Sequence, residues 1–167
     1  LIRQLDAGPA TVIGTSMGAG AAAWAAVEAP DAIANLVLVG PFVRDVSSGS
    51  WWKDALLKAM MKVGFAGPWA MAAWGAYYTS LYPSRKPADF AAYKTKLIAN
   101  LREPGRMAAV RAMMAASKAD VAARLAAIRA RTLVVMGSKD PDFPDAAAEA
   151  ATVATLTRGT FAMIDGA

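Results

Sequence analysis

Apolar runs of two kinds follow one another near the start of the chain. Ala10 to Ile13 is a short run with β-branched members, and this pattern predicts a buried strand. Ala19 to Val27 is rich in the residue with the highest helix propensity and stops before Pro30. Asn35 to Gly40 contains a second short apolar run. Strand, turn, helix and strand form a βαβ unit, and strands this apolar predict a parallel sheet covered on both faces.

The pattern changes between residues 46 and 129, where strand signals almost disappear. Apolar residues recur there at helical spacing, and Pro87 and Pro104 stand where new helices would begin. The stripes are Leu56, Leu57, Met60 and Met61; Phe90, Tyr93, Leu97, Ile98 and Leu101; Met107, Val110 and Met114; and Val121, Leu125 and Ile128. We therefore predict a helical insertion over residues 46–129 between two parts of a core, residues 1–45 and 130–167.

Sheet character returns after the insertion. Thr132 to Met136 predicts a strand, a polar turn follows over residues 137–142, and an Ala-rich helix is expected from about Pro144. Thr160 to Ile164 predicts one more strand. The predicted fold class is α/β, with a mostly parallel sheet interrupted by helices.

Composition and charge agree with a globular protein. Of the 167 residues, 56% are apolar and 19% are charged, which is typical of a chain that buries a core. Lys and Arg number 18 and Asp and Glu 13, so the net charge is +5, and the basic residues occur singly or in pairs. This scatter favours solubility over nucleic-acid binding. The uncharged stretch 63–84 is interrupted by Gly and Pro, so we expect buried helices rather than a membrane partner; a spanning helix and interfacial contact are the alternatives.

Two residue types are missing from the sequence. Without cysteine, disulfides, thiolate metal sites and cysteine nucleophiles are excluded. Without histidine, the sequence lacks the usual general base near neutral pH and the commonest metal ligand. No metal or organic cofactor is implied.

The segment Gly14-Thr15-Ser16-Met17-Gly18 matches the pattern G-x-S-x-G between a predicted strand and a predicted helix. A serine on such a tight turn is pushed outward, and small neighbours at Gly14 and Gly18 leave room for the adjoining strand and helix. The helix N-terminus favours negative charge that develops at the Ser16 hydroxyl. The N–H of Met17 would point to the same place and serve as an oxyanion donor.

With this motif and its context the sequence resembles the α/β-hydrolase superfamily. The resemblance implies that Ser16 is the nucleophile and that residues 46–129 form a helical lid. It also implies that Asp140, in the turn Met136-Gly137-Ser138-Lys139-Asp140, is the triad acid. The family places its histidine after the last strand, so we expect the base a few residues beyond Ala167. The second oxyanion donor would lie upstream of Leu1, and the chain is expected to be a fragment.

Each candidate residue has a structural alternative. Ser16 could be only the N-cap of a helix. Asp140 could simply cap a turn. Asp142 and Asp145 are alternative candidates for the triad acid, although Asp145 is better explained as a helix cap. Asp45 is a further alternative acid. Arg44 and Asp45 could form a local ion pair. Several aromatic residues either line an acyl pocket or belong to the core: Trp51, Trp52, Trp69, Trp74, Tyr77 and Tyr78.

The sequence therefore predicts a cytoplasmic serine hydrolase that acts on a small or medium carboxylic ester or related acyl compound. The 167 residues alone are expected to be inactive, because they contain no base. A non-catalytic binding module with the same fold is the main alternative. Thioester cleavage, acyl transfer, C–C bond cleavage or perhydrolysis at the same serine also remain open. No oligomeric state is predicted.

Overall fold

A computed structural model describes residues 2–6, 8–45 and 50–167, and the side chains of residues 57 and 58 lie outside the description. The chain divides into two compact units. The first comprises Leu1–Asp45 and Ser117–Ala167, and the second is Val46–Ala116. The sequence predicts an insertion that ends at residue 129, whereas this division falls after Ala116. The function of the insertion as a lid stays a prediction.

The first unit contains a sheet and the helices that pack on it. Its elements in chain order are α1 (Ile2–Leu5), β1 (Ala10–Thr15), α2 (Met17–Glu28), a 3₁₀ turn (Pro30–Ala32) and β2 (Ile33–Val39). After the second unit follow α7 (Ala119–Ala122), a 3₁₀ turn (Leu125–Ala127), β3 (Arg131–Gly137), α8 (Ala146–Leu156) and β4 (Thr160–Ile164). The predicted βαβ unit and the two later strands are confirmed, and β4 has the predicted bounds.

The four strands form one parallel sheet in the order β1-β2-β3-β4. Gly14 pairs with Leu38, and Leu38 pairs with Val134, so these three residues share one face. Because all strands run in one direction, their carboxyl ends lie at the same edge of the sheet. Residues that follow β1, β2 and β3 are therefore neighbours at that edge.

Helices α2 and α8 cover one face of this sheet. Leu38 and Val134 are fully buried there, against the two helices. On the opposite face Ile13, Leu133 and Ile164 remain between 37% and 67% exposed. The expectation of a sheet covered on both faces is thus wrong for the part of the chain that the structure describes.

Small side chains allow α2 to approach the sheet closely. Ala19, Ala22, Ala23 and Ala26 are all buried. A short alanine side chain brings the helix backbone near the strand, and this close approach determines the geometry of the turn between β1 and α2.

Residues 117–130 belong to the first unit, and the contacts of Arg124 illustrate this. The Arg124 guanidinium lies 4.0 Å from the centroid of the Trp24 ring and donates to Glu28 Oε1 at 2.8 Å, so it is attached to α2. Leu125 and Ile128 are buried. Their helical spacing does predict an apolar contact, but spacing alone cannot say which part of the chain supplies the other side.

The second unit is helical, as the sequence predicts. Its helices are α3 (Trp51–Gly64), α4 (Ala70–Ser80), α5 (Phe90–Leu101) and α6 (Arg106–Ala115). Helices α4 and α5 approach each other at Gly75, where a Cβ would lie 3.4 Å from Lys94 Cε. The ammonium of Lys94 donates to Thr79 Oγ1 at 2.7 Å, and this hydrogen bond joins the two helices.

Aromatic rings form much of the interior of the second unit. Trp74 and Tyr77 lie 5.3 Å apart between ring centroids, and Phe65 packs edge-on against both. A second group stacks around Tyr78, with Phe90 at 5.5 Å. Trp74, Tyr77 and Tyr78 are half-buried and contact other rings of the second unit.

No helix among the described residues is both long and apolar enough to cross a membrane.

Candidate functional site

The turn between β1 and α2 holds Ser16 in an unusual backbone conformation. Its φ is 53° and its ψ is −125°, a region that a residue with a side chain rarely adopts. Hydrogen bonds on both sides maintain it. The Ser16 N–H donates to the Val39 carbonyl at 2.9 Å, and the Ser16 carbonyl accepts from Ala19 at 3.0 Å and from Phe42 at 3.3 Å. The backbone of Ser16 is therefore held by both α2 and the segment after β2.

Gly14 leaves the space that this turn requires. A Cβ at this position would lie 2.7 Å from Ala19 Cα and 2.7 Å from the Gly18 carbonyl oxygen. The predicted steric reason for a glycine is thus confirmed at Gly14. It is wrong at Gly18, where a Cβ would meet no atom within 4 Å among the described residues. Gly18 lies on the exposed side of the first turn of α2, so the strand does not crowd it.

The Ser16 side chain is not used to cap α2. Ser16 occupies the N-cap position, but its hydroxyl forms no capping hydrogen bond. The side chain is half-buried, whereas Thr15 before it is exposed. Met17 is the first residue of α2, and an N–H at this position has no intrahelical partner. The Ser16 hydroxyl and a backbone N–H without an intrahelical partner thus lie next to each other, and their roles as nucleophile and oxyanion donor stay predictions.

Asp140 lies in the turn that follows β3. Its N–H donates to the Gly137 carbonyl at 3.3 Å, and its Oδ1 accepts from the Asp142 N–H at 3.0 Å. The other oxygen, Oδ2, lies beside Gly40, 3.3 Å from where a Cβ would stand. One carboxylate oxygen of Asp140 therefore stabilises the turn, and the other points toward the residue after β2.

The competing aspartates have other partners. Asp145 is the N-cap of α8, and its Oδ1 accepts from the Ala148 N–H at 2.9 Å, so the predicted cap is confirmed. Asp45 is exposed, and its Oδ1 lies 3.9 Å from Lys118 Nζ. The predicted Arg44–Asp45 pair is wrong: Arg44 Nε donates instead to Oε1 of the buried Glu149 at 2.8 Å, with a second bond from Nη2 to Oε2. Glu149 is distant in sequence, so no local pattern could indicate this pairing.

The loop after β2 separates the Ser16 turn from the Asp140 turn, and sequence reasoning assigned no function to its residues Gly40 and Phe42. Gly40 has a φ of 50°, and its N–H donates to the Val135 carbonyl at 2.9 Å. Phe42 stacks on Phe143 with ring centroids 5.1 Å apart, which connects this loop to the Asp140 turn. A glycine directly after a predicted strand is the sequence signal that could have indicated this loop. No sequence signal indicates the contact between Phe42 and Phe143, because the two residues are about a hundred positions apart.

Ser16 and Asp140 follow two strands that have β2 between them. Adjacent strands are about 4.8 Å apart, so β1 and β3 lie about 10 Å apart at this edge. An imidazole can bridge a hydroxyl and a carboxylate with one hydrogen bond of about 2.8 Å at each ring nitrogen. A backbone separation of this order is compatible with one imidazole between the two side chains.

Three tryptophans that the sequence offers for an acyl pocket belong to the second unit. Trp51, Trp52 and Trp69 are exposed rather than in an apolar pocket. A depression of about 350 Å³ in the first unit is lined by residues next to Gly8 and Asp31 and does not include Ser16. Within the described residues no cluster of three or more His, Cys, Asp and Glu could hold a metal ion.

The sequence profile of the family described as serine aminopeptidase, S33, matches residues 2–167. No curated protein matches the chain. Many solved structures share its fold.

Three of these structures illustrate the similarity. A 2-hydroxy-6-oxo-6-phenylhexa-2,4-dienoate hydrolase from Rhodococcus sp. strain RHA1 superimposes with a TM-score of 0.75 at 15% identity, over 99% of this chain and 59% of that enzyme. A bromoperoxidase from Bacillus anthracis superimposes with a TM-score of 0.71 at 20% identity, over 99% of this chain and 62% of that protein. Est816, an N-acyl homoserine lactone degrading enzyme, superimposes with a TM-score of 0.67 at 17% identity, over 98% of this chain and 62% of that enzyme.

The chain therefore spans about three fifths of the length of these proteins, and at this level of identity they show the fold alone. The parallel sheet, the strained serine turn after β1 and the profile over nearly the whole chain agree with one another. The chain belongs to the serine aminopeptidase S33 family of α/β-hydrolases.

Proposed function

We propose that this chain carries the nucleophile and the acid of a serine hydrolase that cleaves a small or medium carboxylic ester or a related acyl compound. The observation that supports it best is the backbone conformation of Ser16. A φ of 53° is unfavourable for serine, and no capping bond of its hydroxyl compensates for it. Strain of this kind is common where a side chain must be presented to a substrate.

In this proposal Ser16 Oγ attacks the carbonyl carbon of the substrate and forms a tetrahedral intermediate. Its proton passes to an imidazole, which these 167 residues do not contain. The Met17 N–H donates to the oxyanion together with a second donor, also from outside these residues. The imidazole then protonates the leaving alcohol, and water, activated by the same base, releases the acid from the acyl-enzyme.

Asp140 orients the imidazole and stabilises its charged form. Its Oδ1 is used by the Asp142 N–H, so Oδ2 is the oxygen that would accept the imidazole N–H. Gly40 supports this assignment, because a glycine there keeps the space beside Oδ2 open. The proposal includes a small-molecule ester partner, no nucleic acid and a cytoplasmic location, which cell fractionation would test.

The test is labelling of the intact protein with a serine-reactive phosphonate. We expect Ser16→Ala to abolish labelling and ester turnover. The matched control Ser84→Ala, which removes an exposed hydroxyl from the second unit, should retain both. Chromogenic esters of increasing acyl length would then define the substrate range. Labelling that survives Ser16→Ala would refute the assignment, and an intact protein without labelling would favour the non-catalytic binding module.

A further inference from the structure

Helix α3 presents an apolar stripe to solvent. Trp52, Leu56, Met60 and Val63 are each between 53% and 63% exposed. Trp69 extends the stripe beyond the end of α3: it is 54% exposed, and its indole N–H donates to the Val63 carbonyl at 3.1 Å. We call these five side chains the α3 stripe. Their spacing resembles that of a core-facing helix, yet the structure exposes them.

Helical geometry gathers the four α3 residues of the stripe on one side. At about 100° per residue they fall within about 80° of arc around the helix axis. Met61 and Asp54, which are half-buried, lie on the opposite side. Lys53 borders the stripe next to Met60, and its ammonium lies 5.6 Å from the centroid of the Trp52 ring. Lys62 lies beyond the other border, so exposed lysines flank the stripe on both sides.

Positive charge is concentrated in the unit that carries the stripe. Residues 46–116 contain ten Lys and Arg and three Asp and Glu, a formal charge of +7. The remaining residues contain eight Lys and Arg and ten Asp and Glu, a formal charge of −2. The net charge of +5 thus hides an uneven distribution. The basic residues form no continuous block, but more than half of them belong to the second unit.

We propose that the α3 stripe lies on an anionic lipid surface. A helix with Trp, Leu, Met and Val on one side and lysines at its borders is suited to the boundary between headgroups and acyl chains. Trp is favoured at that depth, and lysine can extend to the phosphates. This proposal replaces the expectation of no membrane partner and does not depend on the catalytic assignment.

Charge argues against two other occupants. A second copy of this face would bring two units of +7 together, and like charges repel. The phosphates of a nucleic acid would neutralise the positive charge of this unit. The side chains of Leu56, Met60 and Val63, however, carry no charge or hydrogen-bond donor that could bind a phosphate. A lipid surface matches both the charge and the apolar stripe.

These 167 residues contain no cysteine, so a cysteine introduced among them adds one labelling site, and the unsubstituted protein provides the background. In the intact protein, Met60→Cys carries a polarity-sensitive fluorophore, and Ser84→Cys provides a matched exposed control. With vesicles of phosphatidylcholine and phosphatidylserine, we expect a blue shift at position 60 and none at position 84. Vesicles of phosphatidylcholine alone should give a much smaller shift.

Sedimentation with the same vesicles measures the partition coefficient. Leu56→Gln should weaken it by at least about tenfold, whereas Leu5→Gln in α1, also an exposed leucine, should not change it. Lys53→Gln and Lys62→Gln should each weaken it by about fivefold, and high salt should have a similar effect.

Several results would overturn the proposal. They are a shift at position 60 that grows with protein concentration without lipid, stronger binding to RNA than to anionic vesicles, and a partition coefficient that Leu56→Gln does not change.

Discussion

Replacement of Gly14 by alanine tests the geometry of the serine turn directly. The added methyl group would lie 2.7 Å from two backbone atoms and 2.8 Å from Ala22 Cβ. Carbon atoms in good contact are about 3.5 to 4 Å apart, so the overlap is close to 1 Å. The two backbone atoms belong to the first turn of α2 and cannot rotate away. Either α2 must move away from β1, or the turn must change.

Overpacking of this kind costs about 1 to 3 kcal/mol, and more where backbone must move. The matched control is Gly18→Ala, four residues later in the same turn. A Cβ there meets nothing within 4 Å, and its position in α2 favours alanine over glycine by about 0.5 to 1 kcal/mol. The two variants add the same methyl group, yet their free energies of unfolding should differ by about 2 to 4 kcal/mol.

Urea unfolding of the intact protein, followed by far-ultraviolet circular dichroism, measures both variants against the wild type. The m-value should stay constant while the midpoint falls for Gly14→Ala and rises slightly for Gly18→Ala. Equal stabilities, or a neutral Gly14→Ala, would mean that the turn is less crowded than the structure shows. Neither result depends on whether the protein is an enzyme.

The remaining predictions concern catalysis, packing and pH. Asp140→Asn should lower kcat for an ester by about 10⁴ with phosphonate labelling slowed but retained, and unchanged kcat would remove Asp140 from the triad. The isolated 167-residue chain should show no ester turnover, which a chromogenic assay at high protein concentration would check. Arg44→Met should destabilise the protein by about 3 kcal/mol in urea, because it removes the partner of the buried Glu149 side chain; no change would mean that the pair does not stabilise the fold. The hydrogen bond to Tyr82, with partial burial, raises the pKa of Tyr78 to about 12. The folded form therefore holds this proton more tightly than the unfolded form, and the stability it contributes is present below about pH 10 and lost as pH rises through 12. Tyr78→Phe should flatten this alkaline loss of stability, and an unchanged slope would contradict the assignment.

Local chemistry made the core elements predictable. The β-branched runs, the alanine-rich segment before Pro30 and the G-x-S-x-G pattern depend on neighbours in sequence, and the structure confirms β1, α2 and β2 around Ser16. The cap at Asp145 is of the same kind, since an aspartate interacts with an N–H only three residues away. The site roles of Ser16, Met17 and Asp140 stay predictions, although the geometry is compatible with all three.

Helical periodicity identified which residues share a face, but not what the face contacts. Leu56 and Met60 form such a stripe and are exposed, whereas Leu125 forms part of another and is buried within the first unit. Hydrophobic spacing is the same in both cases, because it reports only the relation of a residue to its own helix. The net charge of the whole sequence likewise did not indicate the charge difference between the two units, because it does not say which residues pack together.

The amino-acid sequence by itself determined the α/β class, the strand-turn-helix order around Ser16 and the helical character of the segment that contains α3 to α6, because each follows from interactions between residues close in the chain. Only the tertiary structure decided that Arg44 pairs with Glu149, that Gly40 lies beside the Asp140 carboxylate and that Gly14, not Gly18, must lack a side chain. These contacts join segments that no periodic pattern relates. Their distances result from how α2, α8 and the loop after β2 pack on the sheet.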